Sequence, residues 1–321
     1  MYIKGIKMIR YIGILLLIVL SACTINRKQD TSSSQNDDSR KERIFPAPDI
    51  PIVLNTEEER LNYLTLHFWS NYDFADTTLV YNRDITEQGL VNYLSLLKRE
   101  GSELKDIQNS LEKFCRLMEC HDDARKVFMD WMDEYLYDPN SPMYDEKLYS
   151  YYLKSMLGSA VLDDASKESL QFKLSLISRN NKGDKATSFD YTLPDGKKQT
   201  LDQTPVNNNR LLLVFYDPEC PHCNEIMQQM LTDKELVSAV VSKRLTVLAI
   251  YTEGNQKAWK DNIRTMPKNW IIGTDHEQIK ENALYDLKAM PSLYLLDRNK
   301  RVLLKDASYV VIRNYLRETN I

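Results

Sequence analysis

Six consecutive apolar residues, Leu211-Leu212-Leu213-Val214-Phe215-Tyr216, run up to Cys220-Pro221-His222-Cys223. This junction constrains the fold more than any other stretch. An apolar run without alternation has no polar face, so it fits a strand covered on both sides of a sheet. From Asn224 to Leu231 the pattern changes, and Ile226, Met227, Met230 and Leu231 fall on one side of a helix. Cys220 therefore stands at a helix N-terminus, where free N–H groups and the macrodipole favour a thiolate. Cys223 lies one turn deeper, placed to attack a mixed disulfide held by Cys220. Two cysteines so arranged are the minimal apparatus of thiol–disulfide exchange.

The start of the chain gives an address. Lys4, Lys7 and Arg10 precede the apolar segment Tyr11–Leu20, which is short for a membrane span, so residues 1–22 read as an export signal. Leu20-Ser21-Ala22-Cys23 resembles the lipobox of bacterial lipoproteins. The resemblance implies cleavage before Cys23 and lipid on that cysteine. Thr24 follows rather than Asp, and no acidic cluster comes after it. By analogy with lipoprotein sorting this implies the periplasmic face of the outer membrane of a Gram-negative cell. Removing residues 1–22 takes three basic residues and no acid, so the net charge of −4 falls to −7. An acidic chain without a basic run excludes nucleic acid as an expected partner. An exported address permits disulfides. With Cys23 carrying lipid, Cys115, Cys120, Cys220 and Cys223 remain.

Residues 23–45 then comprise the lipidated cysteine and a polar, flexible tether. Residues 46–180 read as a helical domain. Thr56 with Glu59 forms a capping box ahead of Leu61, Leu64 and Phe68. Leu104, Ile107, Leu111, Phe114 and Met118 keep helical spacing, as do Val127, Trp131 and Tyr135. The stretch Asp138-Pro139-Asn140-Ser141-Pro142 is a turn, and helices fit 145–157 and 163–178. The aromatic residues here read as core. From 181 to 321 the texture is α/β. Strands are expected at 189–193, 211–216, 245–251, 270–272, 292–296 and 302–305, with a short strand after the Asp195-Gly196 turn. Helices are expected after the cysteines, near 257–264, at 276–285 and at 309–318.

Residues 182–321 resemble the thioredoxin superfamily. The resemblance rests on the CxxC after a strand, on Met290-Pro291 opening a later strand, and on the element order. It implies a central mixed sheet with flanking helices, and a cis proline at Pro291 that faces the cysteines and lets a substrate chain dock. The lead-in Gly183-Asp184-Lys185-Ala186 with Phe189, and the 71 positions from Cys220 to Pro291, are similar to the TlpA/ResA-like branch of membrane-anchored thiol:disulfide oxidoreductases. The region around Trp69–Phe74 and 137–142 resembles an uncharacterised helical domain that precedes such domains in bacterial lipoproteins. The pattern also departs from relatives. Glu219 replaces a common Trp, Val214 stands where thioredoxin has a buried Asp, and Ile226 stands where the branch often has Glu. The relatives' proton relay therefore does not carry over.

The resulting expectation is exchange through Cys220 and Cys223, with Pro221, His222, Pro291, Glu219 and Glu225 in support. No metal or other cofactor is needed beyond the Cys220–Cys223 disulfide. Partners are protein dithiols or disulfides and a membrane-bound electron donor or acceptor. The Pro-His pair is that of DsbA-type oxidants, whereas the frame resembles reductants, and the reductant direction is favoured. Glu225 reads as a solvated first-turn residue, and His67 and His276 as ordinary helix residues. Cys115 and Cys120, about 140° apart on a continuous helix, read as separate thiols. The competing function is a non-catalytic lipoprotein whose helical domain binds a partner and whose α/β domain is scaffold.

Overall fold

The computed structural model describes residues 44–99, 103–206 and 210–319. The export signal, Cys23 and most of the tether lie outside these residues. Ile44–Ile321 is one contact unit.

Its first half is helical: α1 (Glu57–His67), α2 (Thr77–Val80), α3 (Gln88–Leu97), α4 (Leu104–Glu119), α5 (Asp122–Met132), α6 (Glu146–Leu157) and α7 (Asp164–Ile177). The start of α1 follows from its side chains. Glu59 N–H donates to Thr56 Oγ1 at 3.1 Å, and Thr56 N–H donates to Glu59 Oε2 at 3.0 Å, so two orphan donors are satisfied reciprocally. Asp145 and Asp163 cap α6 and α7 by accepting the Leu148 and Ser166 N–H groups. The helices close over an aromatic core. Trp69 packs edge-on against Phe128 at 5.2 Å, and Phe114 meets Phe128 at 5.3 Å. All three rings are buried. Sequence periodicity gave no sign of the two wide π-turns, Arg83–Glu87 and Asp133–Tyr137. Cys115 is buried on α4 and Cys120 is exposed at its C-cap, both as free thiols.

Among the described residues the second half holds seven strands: β1 (Asp190–Thr192), β2 (Lys198–Thr200), β3 (Arg210–Tyr216), β4 (Thr246–Tyr251), β5 (Ile271–Thr274), β6 (Ser292–Asp297) and β7 (Val302–Leu304). They form one mixed sheet in the order β2-β1-β5-β4-β3-β6-β7. β3 runs parallel to β4 and antiparallel to β6. The α/β layering and the preceding helical region are those expected from the sequence. β3 is central, and its residues from Leu211 to Tyr216 are buried, which is why its sequence is apolar on both faces. Leu212, Val214 and Tyr216 face α8 (Pro221–Thr232), α9 (Lys234–Val241), α10 (Gln256–Ile263) and α12 (Tyr309–Glu318). Leu211, Leu213 and Phe215 face a second core with Phe189, Ile279 and Tyr285. Gly273 lets β1 approach β5, since a Cβ there would stand 2.6 Å from Tyr191 Cδ2.

Three local expectations are corrected. The helix over 276–285 is one turn, α11 (Gln278–Glu281), because His276, Glu277 and Ala283 take left-handed backbone. His276 is therefore not a helix residue. β5 begins at Ile271 and runs on to Thr274. Helix α9 has no counterpart among the expected elements.

Candidate active site

Strand β3 delivers the chain to the site, and a short turn converts it to α8. Glu219 N–H donates to Asp217 Oδ1 at 2.9 Å, and Cys220 N–H to the Asp217 carbonyl at 3.2 Å. This Asx turn stops the strand. Cys220 is then the N-cap, with extended backbone (φ −85°, ψ 119°), and Pro221 is the first helical residue. Proline fits there because its missing N–H would have no intrahelical partner. The Cys220 side chain makes no capping hydrogen bond, so its sulphur is left for other work.

The two cysteines differ in environment. Cys220 is partly exposed, and its Sγ lies 3.9 Å from the Met290 carbonyl oxygen. Cys223 is buried among Val214, Met227 and Leu293, and its sulphur accepts the Asp217 N–H at 3.5 Å. Burial pushes the Cys223 thiol up to about 12, against a smaller downward pull from that N–H. Both thiols are reduced in this structure. One sulphur faces solvent and the other stands behind it, protonated and screened.

The remaining residues singled out in the sequence are placed as follows. The Met290–Pro291 bond is cis, and Met290 is the residue whose carbonyl meets Cys220. Pro291 leads into β6, whose Ser292 pairs with Phe215 of β3, so the sheet register fixes the distance between the two halves of the site. His222 is exposed on the first turn of α8 and Glu225 is exposed just beyond it, not in the first turn as expected, with His222 Nδ1 3.5 Å from Glu225 Oε2. Glu219 is exposed, and its Oε2 accepts from Asn255 Nδ2 at 2.9 Å. Asn255 caps α10 and donates its own N–H to the buried Tyr251 hydroxyl at 3.0 Å. Asn255, the Met290 carbonyl and the Asp217 N–H join the site without a signal in the sequence. Two of these are backbone groups with no residue-type signature. Among the described residues, no group of three or more His, Cys, Asp or Glu side chains could hold a metal ion.

A thioredoxin-like domain family matches residues 197–310, and a domain of unknown function (DUF5106) matches residues 21–180. A thioredoxin-like protein from Bacteroides caccae is 37% identical. That alignment covers 86% of this chain and 99% of the other, with a TM-score of 0.74. The C-terminal domain of an uncharacterised protein from Bacteroides fragilis is 40% identical over 43% of this chain and 98% of its own, with a TM-score of 0.41. A conserved protein of unknown function from the same species is 35% identical over 42% of this chain and 98% of its own, with a TM-score of 0.40. No curated protein matches. The match to the Bacteroides caccae protein runs through both the helical and the α/β regions, and on that ground the chain belongs to the thioredoxin-like proteins.

Proposed function

We propose that the protein is a lipid-anchored periplasmic thiol:disulfide oxidoreductase, working as a reductant through Cys220 and Cys223. One observation carries the reading: a partly exposed sulphur at the N-cap of α8, with a buried thiol one turn behind it. The Cys220 thiolate attacks one sulphur of a substrate disulfide. A bond forms from Cys220 Sγ to that sulphur, the substrate S–S bond breaks, and the other substrate sulphur leaves as a thiolate and takes a proton. Cys223 then loses its proton and attacks Cys220 Sγ. The Cys220–Cys223 disulfide forms, and the second substrate thiol is released. The substrate gains two electrons and the protein dithiol is oxidised. A membrane-bound dithiol donor must return those electrons.

One charge supports the reductant direction. A strong oxidant is one whose reduced form is stabilised. Here Asn255 fixes a carboxylate, Glu219, beside Cys220, which works against such stabilisation. The test is turnover of insulin disulfides fed by dithiothreitol. Wild type should reduce insulin, and Cys220→Ser should abolish turnover. Cys223→Ser should accumulate the mixed disulfide on Cys220. Undiminished turnover by Cys220→Ser would remove the proposal.

A further inference from the structure

The segment that faces Cys220 is held from outside the α/β domain. Lys288 lies two residues before Met290, and only 5% of its side chain is exposed. Its ammonium donates to Tyr144 Oη at 3.1 Å, pairs with Glu146, and sits 3.1 Å from Asp286 Oδ2. It also lies over the rings of Tyr137 and Tyr144, at 4.8 and 5.2 Å from their centroids. Tyr137 comes from the second π-turn, and its hydroxyl donates to Asp286 at 3.0 Å. Glu146, at the start of α6, also pairs with Lys305 at 2.8 Å. Lys305 donates to the Ile177 carbonyl, also at 2.8 Å. Ser292, just after Pro291, donates to Asp306 Oδ1 at 2.7 Å. Both flanks of Met290-Pro291 are thus fixed, one of them by side chains from residues 137–146.

Burial makes this arrangement stringent. An ion with so little exposure has lost its water and must be matched by its neighbours. Two carboxylates, two tyrosine rings and a hydroxyl surround the Lys288 head group, which leaves it few alternative positions. A side chain so fixed limits where its own backbone can go, and Met290 is two residues away. Met290 O in turn stands 3.9 Å from Cys220 Sγ. Any polypeptide whose sulphur reaches Cys220 therefore lies against the 288–291 main chain, whereas a compact aliphatic disulfide can meet the sulphur without that wall.

We infer that Lys288 is a positioning residue, through which the helical domain sets the 288–291 wall that a polypeptide disulfide meets at Cys220. The inference rests on the exchange activity proposed above. It gives the helical domain a defined role, since without Tyr137, Tyr144 and Glu146 the ammonium would be left with Asp286 alone from this set.

The experiment uses the full chain and pre-steady-state oxidation of the reduced protein by two disulfides, hydroxyethyl disulfide and a disulfide-bonded decapeptide. In Lys288→Met the half-saturating peptide concentration should rise about tenfold, the scale expected when a binding surface shifts by a fraction of an ångström. The rate with hydroxyethyl disulfide should stay within about twofold of wild type. Lys288→Arg, which keeps the charge, should recover most of the peptide affinity. If Lys288→Met does not fold, Tyr144→Phe removes a single hydroxyl from the same shell and should show the same split in smaller measure. Unchanged peptide kinetics in the folded variants, or equal losses with both disulfides, would overturn the inference while leaving the activity in place. A wild-type protein inert to both disulfides would overturn the activity and this inference with it.

Discussion

The burial of Cys223 has a consequence that can be worked through in numbers. Its thiol is pushed up to about 12 from an ordinary 9.0. At pH 8 the thiolate fraction is then about one in ten thousand, against about one in ten for the same cysteine in the unfolded chain. Iodoacetamide reacts with the thiolate, so folding should slow alkylation of Cys223 about a thousandfold at pH 8. The folded-state rate should rise about tenfold per pH unit from 8 to 11, while the rate in guanidinium levels off above 9. The same shift is a stability statement. The folded pKa lies above the unfolded one, so the contribution is fully present below pH 9 and is lost as pH rises towards 12. The loss is about 1.4 kcal/mol per unit, and about 4 kcal/mol in all as an order of magnitude. The reduced protein should therefore lose more stability over this window than the oxidised protein, in which the buried Cys115 thiol and buried tyrosines still titrate but Cys223 does not. The assay is timed alkylation of reduced protein, with peptide masses resolving Cys223 from Cys115, Cys120 and Cys220. Equal rates for Cys223 in folded and unfolded protein at pH 8 would refute the reasoning.

Other expectations follow from the same structure. Phe128, fully buried among Trp69, Phe74 and Phe114, should cost about 3–5 kcal/mol on replacement by Ala, read as a lower urea midpoint with unchanged slope; a loss under about 1 kcal/mol would contradict the packing described. Asp306 is raised above its ordinary 3.8, chiefly by burial, and its Oδ2 finds no partner among the described residues. Its contribution is present below about pH 4 and lost as pH rises through the raised value, so Asp306→Asn should gain in melting temperature relative to wild type between pH 4 and pH 8. A pH-independent difference would count against it. Glu146 has the opposite sign: although burial raises it, Lys288 and Lys305 hold it below its ordinary 4.5. Its contribution is therefore lost as pH falls through the lowered value, and Glu146→Gln should cost more stability at pH 7 than at pH 3. An equal cost at both would refute that assignment. Cells fed labelled palmitate should label the wild-type chain and not Cys23→Ala; label persisting in the variant would rule out lipid at Cys23.

How much of this was legible in the sequence depends on whether the signal is local. The buried strand 211–216, the Cys220 N-cap and the Thr56–Glu59 box each declare themselves within a few residues, and the structure contains them. Helix α9 was hidden because Asp233 is at once the C-cap of α8 and the N-cap of α9, leaving no linker to mark a boundary. The 276–285 stretch had apolar residues at helical spacing, yet three left-handed residues reduce it to a single turn. Lys288 and Glu146 stand 142 positions apart and meet only because the helical and α/β regions pack together. No periodicity encodes that pairing. The same holds for the Met290 carbonyl and the Asp217 N–H, which any residue type could supply.

The central claim is that Cys220 and Cys223 form a redox couple. Its most direct test is equilibration of the protein in graded glutathione or dithiothreitol buffers, with alkylated and disulfide-linked peptides quantified by mass. The account predicts one two-electron transition confined to the Cys220–Cys223 pair, with a potential near or below about −220 mV. A transition between about −180 and −120 mV would reverse the proposed direction, and no transition across the accessible range would contradict the claim itself.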